Sequence, residues 1–505
     1  MHMHKDTQTL LRIQFHPEDY LIFTLWLLLC FAAVAFNGTA DEGDSVEHYL
    51  FARYAFVHPE NFVNHWAKPL FVWIAAPIAQ FGFAAVKLLN VTFWALQLAF
   101  VVRIARYFGT GYYWIIPVFG ICAPMNLTHT LSSLTEPMFA VWLAGSIALI
   151  WYDRKWAGYI LLSFLPLVRS EGLIVFCPVV VYMLLARDVR YLPLLAVGHL
   201  VVGLAGYGYH HDLLWTVHQN PYATLSIVYG RGSWDTFIKG MPNVIGWGVT
   251  FFLVVGCLDG MRRLLFKNQW FKDPIARKET ILIYGVMLSY LAAHSLFWYY
   301  GIFKSLGLLR VVLGIMPMIL FVAWRGFTWS FQTLPTQVPN AVRYLILAGG
   351  LVFGLAMHRT LRYDFTLNAA QQSLRNAAKD LQQRLPDLSE RIKYHASVDA
   401  ALAFDLDYFD HNLSRTPDRL YSGELAPEGS LVIWDDKFMP NEGKTPLTRL
   451  EQDPRLQLLG AYRVYDPRFK KDRQTYIFEV RGQTDRLSEV LNTTTTYTPI
   501  SSVRR

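Results

Sequence analysis

Cysteine is scarce in this chain. The four present, Cys30, Cys122, Cys177 and Cys257, all lie within or beside apolar runs. None has metal-ligand spacing, and the polar regions hold no disulfide framework, which excludes a zinc ribbon and a disulfide-stapled secreted scaffold. No repeat or low-complexity segment is present, so the internal symmetry of many secondary transporters is missing. No small-residue cleavage site follows the first apolar run, Tyr20 to Phe36. That run is expected to stay as a transmembrane helix.

Apolar residues make up 53% of the 505, and the mean hydropathy is +0.25. This composition points to lipid rather than to a soluble core. A net charge of +8 could suggest nucleic acid. However, the cations sit in short clusters between apolar runs, as in cytoplasmic loops, so no nucleic-acid partner is expected.

Apolar stretches near the length of a bilayer crossing are expected at 20–36, 84–103, 112–125, 137–152, 156–168, 172–186, 191–210, 244–265, 280–297, 308–324 and 342–357. With the N-terminus inside, one face collects Arg103 and Arg106, then Arg154 and Lys155, then Arg187 and Arg190. Arg262, Arg263, Lys267, Lys272, Arg277 and Lys278 follow on the same face. That bias supports a count of about eleven. The segments 37–68, 126–136, 169–172, 211–240 and 298–307 then face outward, as does the polar tail. The expected class is therefore an α-helical polytopic membrane protein, residues 1–357, followed by a small C-terminal α/β domain outside the membrane, residues 358–505. The tail's helix-like stretch is Gln371–Ile392 and its strand-like ones are Leu431–Trp434 and Thr475–Val480. Residues 330–341, with two prolines, read as a connecting loop.

Five outward elements carry the candidate chemistry. The first loop holds Asp41, Glu42, Asp44 and Glu47 at a helix mouth, followed by His48 and, later, Lys68. Carboxylates so near hydrocarbon are costly unless solvated or used. A solvated acidic loop is the plain alternative, and Asp44 before Ser45 could simply cap a helix running from Val46. The second element is LSSLTEPMF, where Glu136 precedes a helix-starting proline, itself a normal boundary. The third is LPLVRSEGLIVF, in which Arg169 and Glu171 interrupt an apolar stretch. They suit either a structural ion pair or a site. The fourth, WTVHQNPYATLSIVYGRGSWDTF, brings Asn220 and Tyr222 among aromatics that suit sugar rings or interfacial anchoring. The fifth holds His294, Lys304 and Arg310. Cations there suit a phosphate, while snorkelling is easy for Lys304 and harder for Arg310.

In order, the acidic loop GDSVEHY, the TEP turn, the RSEG turn and the late His…Arg…Pro stretch resemble the GT-C superfamily of integral-membrane glycosyltransferases. The chain looks closest to bacterial members related to dolichyl-phosphate-mannose-type mannosyltransferases, over roughly residues 20–325. The tail resembles C-terminal domains of such enzymes through VIWDDKFMPNEGKTPLTRL.

The resemblance implies a sugar donor on a polyprenyl phosphate and transfer, with inversion, to a glycan, lipid or protein acceptor. It implies a bacterial inner membrane, with the site and tail facing the periplasm. An acid of the first loop acts as base; Asp44 matches best, with Asp41, Glu42 and Glu47 as rivals. Arg310, Arg169, Lys304 and Lys68 are candidates to steady the leaving phosphate. Glu136 and Glu171 would orient those cations or sugar hydroxyls. A divalent metal could also sit among so many carboxylates, although many polyprenyl-phosphate-dependent members need none. Asp405 and Asp407, in FDLDYF, resemble a nucleotide-sugar metal motif but read better as surface or strand-end residues. The triplets at Asn37, Asn126 and Asn412 matter only in an ER lumen. A transporter or lipid flippase is the rival class and would require repeat symmetry. A receptor or scaffold would leave Arg169, Glu171 and Arg310 unexplained.

Overall fold

A computed structural model describes residues 15–41, 43–265, 273–333, 339, 342, 365–421 and 426–481. The expected span 342–357 (apart from Val342), Glu42, Lys267 and Lys272 lie outside the described residues. The chain divides into two compact units, Met1–Thr366 and Leu367–Arg505.

The first unit is helical. Six of its helical segments are long and apolar enough to cross a bilayer: Pro17–Ala35, Phe83–Arg106, Val189–His210, Thr236–Leu265, Pro274–Tyr300 and Leu309–Thr333. Shorter apolar helices fill in at Pro69–Ala79, Glu136–Trp151, Lys155–Val168 and Gly172–Leu185. The first helix leaves Leu28, Phe31 and Val34 at 60–74% exposed. Apolar side chains presented in that number suit lipid, where a helix satisfies its own backbone and only its surface must match the tails. The chain is an integral membrane protein. Leu309–Thr333 differs from the others in being almost wholly buried, so it forms the centre of the bundle.

Two departures from the expected spans have local causes. The stretch expected as one helix over 112–125 is two, Ile115–Cys122 and Pro124–Thr130. Pro124 lacks an amide hydrogen and forces Ala123 into extended backbone (ψ 107°), so the helix must restart there. The segment expected from residue 244 is preceded by a further helical stretch from Thr236, and the two meet at a kink where Gly246 has φ 78°, ψ 155°. That conformation is closed to residues with a Cβ. Below the break this helix lies against Met316–Thr333 through two glycines. A Cβ on Gly256 would stand 2.0 Å from the Val322 carbonyl oxygen, and one on Gly326 would stand 2.0 Å from that of Phe252. Small residues let membrane helices approach this closely.

Toward the end of the bundle far from the first loop, Arg262, Arg263 and Arg325 are paired with acids. Glu279 accepts two bonds from Arg263, both 3.0 Å, and two from Arg325, 2.9 and 2.7 Å. Asp259 takes Arg262 and Arg263 at 2.7 and 3.0 Å.

The second unit is a small α/β domain. Its strands are β1 (Lys393–Tyr394), β2 (Ser414–Arg415), β3 (Leu431–Asp435), β4 (Leu456–Asp466) and β5 (Lys471–Val480), ordered β2-β1-β3-β5-β4. β1 runs parallel to β2 and β3, while β3, β5 and β4 are antiparallel. Val432, Trp434, Tyr476 and Phe478 form the centre of its core. The helix Ala369–Arg384 starts at a capping box in which the Asn368 side chain accepts from the Gln371 amide at 3.0 Å. Asp405 ends the helix Val398–Phe404 in left-handed backbone (φ 51°), and Asp407 accepts from the Phe409 amide at 3.0 Å. Both therefore have turn-forming roles.

Candidate active site

The first loop is organised by its own acids. The helix Asp44–Arg53 follows Gly43, whose φ of 133° turns the chain into it. The Asp41 side chain accepts from the Ser45 amide at 2.9 Å. Asp41, not Asp44, thus does the capping; Asp44 is the first helical residue, one turn before His48, and its side chain is left for other work. The Ser45 hydroxyl then accepts from the Ser133 amide at 3.0 Å, tying this helix to the TEP turn. Asn90 fixes the same turn by donating to the carbonyls of Ser132 (2.7 Å) and Leu134 (2.9 Å).

Glu136 is fully buried behind that turn. Its carboxylate meets Arg169 at 2.8 Å and Arg310 at 3.5 Å. Arg169 also reaches Glu171 (3.0 Å) and the Thr135 hydroxyl (3.1 Å). Arg310 donates through Nη1 to Asp41 and through Nη2 to Asp44. Two guanidiniums and four carboxylates therefore form one connected network from four distant stretches of sequence. Burial of so much charge is tolerable only with this degree of pairing.

In front of the network is a cavity of about 1080 Å³. Of the sequence-derived candidates, Asp44, His48, Lys68, Arg169, Glu171, Asn220, Tyr222, His294, Lys304 and Arg310 all line it. Asp41 and Glu136 stand behind Arg310 and are not among the lining residues, and neither is Glu47. His65, Trp66, His199 and Thr216 also share the wall. His65 Nε2 faces the Thr216 carbonyl oxygen at 2.9 Å, so that nitrogen carries the hydrogen. His199 Nδ1 lies 3.0 Å from the Thr216 hydroxyl. His48 stacks on Trp66 with centroids 4.8 Å apart, and His294 lies 4.6 Å from the Tyr290 ring.

The two lysines are held differently from the arginines. Lys68 sits in left-handed backbone (φ 67°) before Pro69, with its ammonium 4.3 Å over the Tyr222 ring. Lys304 and Phe303 are consecutive left-handed residues, φ 51° and 55°, and the Phe303 amide donates to the Thr224 carbonyl at 2.8 Å. Such conformations cost energy and persist only where the surroundings enforce them. Among the described residues neither lysine makes an ion pair.

Electrostatics separate the two first-loop acids. Burial pushes Asp41 up to about 6, with Arg310 pulling the other way. Burial also acts upward on Asp44, but Arg310, His48 and Arg169 together outweigh it and hold that carboxyl below its ordinary range. Burial, reinforced by Arg169, brings Lys68 down to about 8 against the opposing pull of Glu171. Among the described residues no cluster of three or more His, Cys, Asp or Glu is placed to hold a metal ion. The cation that Asp41, Asp44 and Glu136 surround is the Arg310 guanidinium.

These features define a polytopic membrane protein whose loops gather a charged network against one large cavity. The fold is ArnT-like: the crystal structure of ArnT from Cupriavidus metallidurans, bound to undecaprenyl phosphate, matches 92% of this chain and 99% of that one. The TM-score is 0.61 and the sequence identity 13%. The likeness is one of fold. No family model matches the sequence, and no curated protein matches it.

Proposed function

We propose that this chain is an inverting glycosyltransferase that moves a sugar from a polyprenyl phosphate to an acceptor at the exoplasmic face of the membrane. One observation carries the reading: a solvent-reachable carboxylate, Asp44, shares a single cavity with Lys68, Arg169, Lys304 and Arg310. The ArnT-like fold, seen elsewhere with undecaprenyl phosphate bound, supports it.

Inversion needs one displacement at the anomeric carbon, with a base on the attacking hydroxyl and stabilisation of the departing phosphate. Asp44 is the base. Arg310 engages its Oδ2 and keeps it ionised, which leaves Oδ1 to receive the acceptor's proton. Asp41 would be the stronger base, but it does not line the cavity. Its Oδ1 serves the Ser45 amide and its Oδ2 serves Arg310. Geometry takes precedence over basicity in this choice.

For the phosphate, pairing decides among the four cations. Arg169 and Arg310 are already matched by Glu136, Glu171, Asp41 and Asp44, so they hold the site in shape and set its field. Lys68 and Lys304 can meet a phosphate without surrendering a carboxylate. Glu171 orients Arg169, while Asn220, Tyr222, His48 and His294 frame the sugar. Leu173, Ile174, Leu192 and Leu195 give the cavity an apolar wall suited to a prenyl chain. The finer reading is a mannosyltransferase-like enzyme of a bacterial inner membrane, with site and C-terminal domain in the periplasm and a glycan, lipid or protein as acceptor.

The test is transfer of radiolabelled sugar from a polyprenyl-phosphate mannose by the purified protein in proteoliposomes. Label should appear on acceptor with the wild-type chain and not with Asp44→Asn. Equal transfer by both would remove Asp44 as base, and no transfer or donor binding with any polyprenyl-phosphate sugar would remove the reading itself.

A further inference from the structure

The C-terminal unit presents a feature that sugar transfer does not use. β3 pairs with β5 only over Thr475–Glu479, whereas β4 and β5 continue paired as far as Asp466 and Lys471. Residues Arg463–Asp466 and Lys471–Gln474 therefore form a two-stranded ribbon that outruns the sheet by four residues on each side, ~14 Å at strand rise. Its base is braced by Arg473 against Asp436, 3.2 Å apart. Its tip is a built turn, since the buried Asp466 carboxylate accepts from the Arg468 amide at 2.9 Å and from the Arg468 guanidinium twice at 3.3 Å.

The tip's composition is unusual for a surface in water. Tyr465 is 60% exposed and Phe469 62% exposed. Around them stand Arg463, Arg468, Lys470 and Lys471, all exposed, while the segment's acids are Asp466, folded inward, and Asp472. Large aromatics interleaved with cations are the mixture that settles at a membrane–water boundary: rings sit at headgroup level and cations meet lipid phosphates. A protein partner would more commonly be met by a flat or concave patch than by a narrow ribbon tip. The ribbon's length also exceeds the polar headgroup layer, ~5–7 Å on each side of the hydrocarbon core.

We propose that the β4–β5 ribbon is a membrane-surface anchor, inserting Phe469 and Tyr465 among headgroups and using Lys470 and Lys471 to favour an anionic leaflet. It tethers the C-terminal unit to the bilayer independently of what the cavity binds.

The experiment uses the full chain with its four cysteines replaced by serine, spin-labelled through Phe469→Cys and, as a control on the same unit, through Gln383→Cys. Each is placed in nanodiscs of phosphatidylcholine, with and without phosphatidylglycerol. At position 469 the ratio of oxygen to nickel-chelate collisions should rise several-fold above that at 383, and rise further with phosphatidylglycerol. Adding Lys470→Glu and Lys471→Glu should abolish the phosphatidylglycerol-dependent part. A label at 469 as open to nickel as that at 383, in both lipids, overturns the proposal. So does a label immobilised at 469 but indifferent to lipid composition, which would mean a protein contact instead.

Discussion

Arg310 and Asp44 are 266 residues apart in sequence and directly hydrogen-bonded in space. The central segment Leu309–Thr333 therefore delivers the cation that fixes the orientation and charge of the proposed base. Asp44→Asn keeps the shape and removes the proton acceptor, so transfer should fall by about 10²–10⁴-fold while donor binding persists. Asp41→Asn should cost much less, because the amide oxygen can still accept from the Ser45 amide. Initial rates with saturating donor check this. Comparable losses in the two variants would contradict the choice of Asp44.

Glu136 serves structure more than chemistry, because it is fully buried and bridges two guanidiniums. Glu136→Ala strands neither arginine entirely: Arg169 keeps Glu171, and Arg310 keeps Asp41 and Asp44. The loss should fall near the lower end of that for a broken buried pair, about 3 kcal/mol. It would be seen as a lower thermal midpoint in detergent. Adding Arg169→Met to Glu136→Ala should deepen the loss rather than recover it, since the second change takes from Glu171 its ion-pair partner.

Lys68 makes the phosphate reading testable by pH. Its ammonium titrates near 8, lowered by burial. It is charged below that pH and neutral above it, so affinity for a phosphate donor should be full near pH 7 and decline as pH rises through 8. In kinetic terms, kcat/KM for donor falls above pH 8, while the limb in kcat moves to higher pH because bound phosphate holds the proton on. Lys68→Arg should flatten the limb in kcat/KM, since a guanidinium stays charged throughout. An unchanged limb in that variant would assign the titration to another group.

The membrane class, the helical fold and the small α/β tail were legible from hydropathy and strand pattern alone, because both signals are local. So was the closeness of Arg169 to Glu171, two residues apart. The pairing of Arg310 with the first loop was not, because no periodicity reports a contact across the whole bundle. His65, His199 and Thr216 were missed for a related reason: each is an ordinary residue in its own segment and joins the cavity wall only through folding. The break at Gly246 left little trace, since a lone glycine in an apolar run normally continues a membrane helix.

That break gives a stability prediction. Gly246 occupies backbone that only glycine adopts without strain, so Gly246→Ala should cost about 1–3 kcal/mol. Forcing the helix straight would also shift Phe237, which lies above the break and lines the cavity. Transfer should therefore drop along with the thermal midpoint. A fully active, equally stable alanine variant would show that the break is dispensable.

In the C-terminal unit, Asp435 at the end of β3 is pushed by burial from an ordinary 3.8 up to about 6. Its Oδ1 accepts from the amides of Lys437 (3.0 Å) and Phe438 (2.6 Å). Because the folded state holds the proton more tightly than the unfolded one, this group favours folding most below pH 4. Its contribution then declines as pH rises to 6, after which the deficit stays constant at about 2–3 kcal/mol. Asp435→Asn retains the accepting oxygen and cannot ionise, so it should stabilise the unit at pH 7 and remove that part of the slope. Hydrogen exchange of β3 peptides in the full chain, corrected for intrinsic rates, would report it as protection that falls between pH 4 and 6 in the wild type alone. The same fall in the variant would mean that another buried group, not Asp435, carries the titration.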